Sequence, residues 1–208
     1  MPAISGTQLL TNPTITAQVT VRGKRISEAG VPEEVKTAIT QNVKVTSQAQ
    51  FTARSAYFAG PFVNTGPIPP KVEQETTYTI IWDIVNISNT ISNPQVRATI
   101  PSYVTWAGAV YPNKENITYN QNTHQITWVP GDIPAGTGVG KPPREVSFQI
   151  ILTPSISQVG NIPTLMNHIH FDGIDSFTNE SLSQDREDIT TKLITDPKAT
   201  KEMYNVVP

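Results

Sequence analysis

Apolar and polar positions alternate with a period of two over much of the chain. At that spacing a strand sends successive side chains to opposite faces of a sheet. The clearest run is 77–86, where Tyr78, Ile80, Trp82 and Ile84 share one face and Thr77, Thr79, Ile81 and Asp83 the other. Residues 145–153 alternate as cleanly, with Val146, Phe148, Ile150 and Leu152 opposite Ser147 and Gln149. Shorter runs follow at 95–100, 103–109, 117–120 and 125–129. A further run at 165–171 places Leu165, Asn167, Ile169 and Phe171 on one side. Turn-forming clusters separate them at 86–90, 92–94, 111–114, 120–122 and 130–132.

Short strands joined by polar turns predict an all-β fold, an antiparallel immunoglobulin-like β-sandwich, with about seven strands between Thr76 and Leu193. Trp82, Trp106 and Trp128 are expected in or near its core. Ahead of it, 15–21 and 42–58 read as strands. Residues 28–40, opening on Pro32, Glu33 and Glu34, fit either a short helix or a Pro/Glu loop. The segment 60–70 holds four prolines and two glycines and reads as a semi-rigid joint. The expected organisation is therefore a partial β module over 1–59, a linker over 60–70 and the sandwich over 71–208. A loose echo of 9–17 in 164–171 suggests that 1–59 is the C-terminal half of a preceding repeat.

Composition sharpens this picture. With 27 Thr, 13 Ser and 14 Asn, neutral polar residues make up about a quarter of the 208, which favours half-exposed strands. Charged residues are 15% and the net charge is -2, which argues against a basic nucleic-acid surface. The absence of Cys excludes disulfides, thiol catalysis and thiolate metal sites. No apolar run reaches the length of a membrane-spanning helix, and residues 1–10 do not form a signal peptide. The chain is then either cytosolic or a piece of a longer secreted protein, and its repeat-like pattern favours the second.

Several stretches together resemble a known family: 57–72, 75–86, 98–106, Ile117–Asn120, 126–128, 146–160 and 173–178. They are similar to the immunoglobulin-like conserved-repeat modules of large bacterial and archaeal cell-surface proteins, above all those of small-celled candidate phyla. The resemblance covers about residues 55–197. It implies an extracellular, envelope-attached, non-enzymatic structural module with no catalytic residues to carry over. It implies a role as spacer, surface coat or adhesin stalk, with neighbouring modules or copies of itself as partners. The alternative is a carbohydrate- or ligand-binding sandwich, which gains ground if two of Trp106, Tyr111, Tyr119 and Trp128 lie coplanar on one surface.

The candidate chemistry is weak. Residues 135–142 approach a phosphate-binding loop, but Pro142 and Pro143 stand where a hydroxyl and a helix are needed. His168, His170 and Asp172 alternate along one strand face at metal-compatible spacing, yet read as the solvent side. Asp172, Asp175, Asp185, Glu187 and Asp188 could attract calcium but lack the spacing of a calcium loop and read as a solvated stretch. No catalytic, cofactor-binding or metal-binding residues are therefore assigned. Asn86, Asn116 and Asn179 match glycosylation acceptors by pattern alone.

Overall fold

The computed structural model describes residues 4–5, 8–26 and 32–208. In chain order the strands begin with β1 (Ile4–Ser5), β2 (Gln8–Leu9), β3 (Thr14–Ile26), β4 (Pro32–Lys44), β5 (Ala49–Ala56), β6 (Thr76–Asn86) and β7 (Ile91–Thr99). They continue with β8 (Val104–Tyr111), β9 (Ile117–Asn120), β10 (Gln125–Trp128), β11 (Arg144–Leu152), β12 (Thr164–Asp175), β13 (Ser181–Arg186) and β14 (Ile189–Thr190).

Two antiparallel sheets form the body. One has the order β5-β6-β11-β8; the other runs β13-β12-β7-β10-β9, with β14 also on β12. With β5, β6, β7, β8, β11, β12 and β13 taken as strands A to G, the sheets read A-B-E-D and G-F-C. This is the strand order of a constant-type immunoglobulin sandwich. The β9–β10 hairpin is inserted between D and E and extends the free edge of C.

The alternation of the sequence is what packs the two sheets. Tyr78, Ile80, Trp82 and Ile84 of β6 and Val146, Phe148, Ile150 and Leu152 of β11 are buried, as their spacing predicts. They meet Val96, Ala98, Ile126, Trp128, Leu165, Ile169 and Phe171 from the facing sheet. Trp82 lies edge-on to Phe148 at 4.9 Å and tilted to Trp128 at 6.4 Å. Trp128 is buried, and its indole N–H donates to Glu115 at 2.9 Å. Trp106 is half-buried.

Three expectations are corrected. First, β5 precedes the supposed linker yet pairs with β6 from Ala49↔Asn86 to Ala56↔Thr79, and its Phe51 is buried beside Trp82 and Phe171. The sandwich therefore begins before 60–70. That segment is a strap across its outer face: Asn64 Nδ2 donates to Thr79 Oγ1 at 2.9 Å, and Gln149 Nε2 donates to Asn64 Oδ1 at 3.0 Å. Gly66, at φ +96°, lets the strap approach so closely that a Cβ there would lie 2.1 Å from the Glu75 carbonyl oxygen.

Second, the described part of 28–40 is neither helix nor loop. Residues 32–40 belong to β4, because Val35, Thr37, Ile39 and Val43 repeat at period two and pair in register with β3. Residues 28–31 lie outside the described residues. The ribbon β3–β4 is also not half a sandwich, so the echo between 9–17 and 164–171 has no counterpart: β12 is a strand of the sandwich and β3 half of a separate two-stranded sheet. Third, the apolar face of β12 is broken at Asn167. The ladder with β7 shifts between Asn167 and His170, and His168 takes φ +50°. The extra residue turns Asn167 off the core, where it meets the Thr99 hydroxyl, while Leu165, Ile169 and Phe171 stay buried.

Candidate functional site

At one end of the sandwich the chain arrives from the ribbon at residues 45–47, beside the turn that follows β12. Asp175 closes this end. Its Oδ2 accepts the Ser47 amide at 2.6 Å and Asn89 Nδ2 at 2.7 Å; its Oδ1 accepts the Phe177 and Thr178 amides at 2.8 and 2.9 Å. Asn86, also buried, donates to the carbonyls of Asn89, Ile133 and Pro134. Burial works to raise the Asp175 pKa; the amides of Ser47, Thr178 and Phe177 and the Asn89 side chain outweigh it, so the pKa lies below the ordinary carboxylate value. Asp175 is therefore a buried structural hub and not part of a solvated acidic stretch.

At the opposite end Asp196 plays the same part. Its Oδ2 accepts the successive amides of Tyr57, Phe58 and Ala59 at 2.8, 2.7 and 3.2 Å, where β5 runs into the strap. Its burial raises the pKa and these amides, with that of Lys198, bring it down below the ordinary value. The segment 204–207 lies here too: Val207 bridges Lys71 in parallel, and Val206 bridges Val159.

Between the free edges of β5 and β13–β14 runs a cleft of about 560 Å³, lined by Arg54, Ser55, Arg186, Asp188, Lys192 and Ile194 among others. Towards the ribbon the edge of β5 is sealed by side chains of β13. Gln184 donates to the Ala49 carbonyl and accepts the Phe51 amide, and Arg186 donates to the Phe51 carbonyl at 2.6 Å. The cleft mixes charges of both signs.

Each stretch singled out in the sequence has a definite place. His168 is exposed; His170 Nδ1 lies 2.7 Å from Asp185, and Asp172 pairs with Arg97. Among the described residues no group of three or more His, Asp or Glu side chains is gathered as a metal ion would need. The glycine loop packs on the end of β6, where the Gly136 amide donates to Ile87 and the Thr137 carbonyl accepts from Asn86. Asn86 is buried and cannot present its amide for glycosylation; Asn116 and Asn179 are exposed.

The aromatic residues do not form one plane. Trp128 is in the core, Tyr111 stands alone, and Trp106 and Tyr119 stack on each other at 6.0 Å and 17°. Below them Ser102, Thr105, Gln121 and His124 help line a shallow cleft of about 350 Å³. Sequence reasoning missed the hub role of Asp175 and all of Asp196. The signal for the first was present in the order Asp175-Ser-Phe-Thr178, where a carboxylate accepts amides two and three residues on.

Similarity to known proteins is slight. No protein-family model matches the chain, and no curated protein does. A variant of BcpA, the major pilin subunit of Bacillus cereus, is similar over 82% of this chain and 47% of its own, with 13% identity and a TM-score of 0.40. The major pilin SpaD of Corynebacterium diphtheriae is similar over 72% of this chain and 35% of its own, with 12% identity and a TM-score of 0.37. This chain thus spans about half the length of the first and a third of the second. The fold is carried by this chain's own ladders and not by these likenesses. No helix among the described residues is long and apolar enough to cross a membrane.

Proposed function

We propose that the chain is a non-enzymatic structural module of an extracellular cell-surface protein, serving as a spacer in a stalk or coat. The sequence resemblance to immunoglobulin-like surface repeats of bacteria, including those of candidate phyla, and of archaea agrees with this reading. The observation that carries it is the placement of the chain at the two ends of the sandwich. Residues 45–47 sit against Asp175 at one end, and residues 204–207 sit against Lys71 and Val159 at the other. A string of such modules runs straight through each one.

The mechanism is mechanical. Tension between these points reaches β5 along its own axis, so its eight register pairs with β6 are loaded in shear and must break together. Asp175 and Asp196 bind backbone amides at the two ends of β5 and resist fraying there. The electrostatics also argue against acid–base catalysis. Among the described residues the carboxyls with displaced pKa, Asp175, Asp196 and Glu202, are all displaced downward, away from the near-neutral value a general acid needs.

Single-molecule pulling tests the reading. Attachment at residues 45 and 207 should unfold the sandwich at a clearly higher force than attachment at 56 and 76, which unzips β5 from β6 pair by pair. Equal forces would remove the stalk reading. Binding of a glycan that Tyr119→Ala abolishes would replace it with the sugar-binding alternative.

A further inference from the structure

The ribbon β3–β4 is two-faced. Cross-strand partners share a face, so Ile15↔Val43, Ala17↔Gln41, Val19↔Ile39, Val21↔Thr37 and Gly23↔Val35 form five rows on one side. The other side holds Thr14, Thr16, Gln18, Arg22 and Lys24 against Lys44, Asn42, Thr40, Lys36 and Glu34. These five rows carry no charge, the next pair in register on this side being Arg25↔Glu33, and their six large apolar residues are 51–71% exposed. A two-stranded sheet with nothing packed on it is marginal in water. The other exposed large apolar residues, such as Val63, Tyr111, Ile156 and Ile194, are dispersed over separate loops and strands and offer no second face of this length.

We infer that this face binds the same face of a second copy, antiparallel, about a two-fold axis through the Val19–Ile39 row. The side-chain sizes carry the choice of partner and direction. Turning one ribbon end for end over the other lays β3 on β3 and β4 on β4. Ile15 then lies over Gly23, where a side chain would meet nothing within 4 Å in the single chain. Ala17 lies over Val21, Val43 over Val35, and Val19 and Ile39 over their own copies. Gln41 and Thr37, the polar side chains of this face, come opposite each other and can hydrogen-bond. A parallel stack would put Ile15 over Val43 while leaving Gly23 over Val35, with bulk at one end and a gap at the other. The contact is isologous and closes on two copies. It joins two sandwiches tail to tail through their ribbons and does not depend on the stalk reading.

The rows span nine residues of β3, eight rises or about 27 Å, and two strands with their side chains about 10 Å, so roughly 600 Å² is buried in total. That area belongs to weak, reversible association. Sedimentation of the whole chain should show a monomer–dimer equilibrium below about 1 mM. Val19→Asp, which places a charge in the contact, should weaken the dimer at least about tenfold, while Thr20→Asp on the opposite face should leave it within about twofold. Tryptophan fluorescence of the sandwich should be unchanged in both, which separates loss of contact from loss of fold. Spin labels at Thr16→Cys and Lys24→Cys on different copies should lie closer than two labels at Thr16→Cys. A monomer throughout the range, a dimer indifferent to Val19→Asp, or the reverse order of distances overturns the proposal.

Discussion

The carboxylate of Asp175 accepts the backbone amide of Ser47 at 2.6 Å across 128 residues of sequence. The contact fixes the point where the ribbon gives way to the sandwich against the turn between β12 and β13. Four donors converge on this one buried carboxylate. Asp175→Ala should destabilise the sandwich by at least about 2 kcal/mol, because it strands buried donors. Chemical denaturation measures this, and a loss near zero would show that water satisfies those amides equally well.

The same carboxylates set an acid limit. Asp175 and Asp196 have pKa values below their ordinary, unfolded-state value near 3.8. Groups of this kind add stability that is complete above the unfolded pKa and is lost as pH falls through the lowered folded pKa. The melting temperature should therefore hold from neutrality to about pH 5 and drop steeply below about pH 4. Asp175→Asn should flatten that drop; a variant with the parent's full acid sensitivity would refute the assignment.

Strand β5 makes the boundary testable. A fragment starting at Lys71 lacks β5 and leaves the core around Trp82 and Phe171 open where Phe51 belongs. A fragment starting at Val45 loses the ribbon and keeps the sandwich. The 45–208 fragment should unfold cooperatively, and the 71–208 fragment should not fold. Circular dichroism melts of the two decide it.

These results show which features the sequence makes legible. Strands β6 and β11 are paired along their whole length and buried on one face, so alternation alone locates them. Edge strand β5 has one large apolar residue, Phe51, among small and polar ones, and its alternation is too faint to separate it from what precedes it. In β12 the irregularity between Asn167 and His170 takes Asn167 off the core face while Leu165, Ile169 and Phe171 stay on it, and periodicity cannot register so local a break. Pro32, Glu33 and Glu34 imitate a helix start, yet they stand in register with Ile26, Arg25 and Lys24 on the two-stranded ribbon. Asp175 has two local donors, Phe177 and Thr178, that its sequence neighbourhood reports, but the amides that make hubs of Asp175 and Asp196, Ser47 and Tyr57, lie about 130 residues away and no local pattern reports those.

Two neighbouring core positions should respond in opposite ways. Trp82→Ala empties the contact between Phe51, Phe148 and Trp128 and should cost about 3–5 kcal/mol. Tyr78 is buried with a hydroxyl that finds no partner among the described residues, and burial together with the nearby Tyr57 phenol pushes its pKa well up. Tyr78→Phe removes that hydroxyl and should leave stability unchanged or slightly raised. A loss above about 1 kcal/mol would show that the hydroxyl is in fact satisfied.

The last prediction concerns covalent stapling. A buried lysine amine can condense with an Asn or Asp side chain where an apolar site holds the amine neutral and a nearby acid protonated. Here every described lysine is exposed, among them Lys44, Lys71, Lys141, Lys192 and Lys198. The buried carboxylates are held by amides and are more acidic than usual, the reverse of what the condensation needs. Lys44 comes nearest to this arrangement, beside the turn that Asp175 closes, yet its amine donates to the Phe177 carbonyl at 2.8 Å and lies over the Phe177 ring. Stability must then rest on packing and strand pairing. The intact mass should equal that of the sequence, since each Lys–Asn bond would remove one ammonia and each Lys–Asp bond one water. A deficit of about 17 or 18 Da would show that a lysine reaches the core in the folded protein, contrary to the exposure seen for all of them.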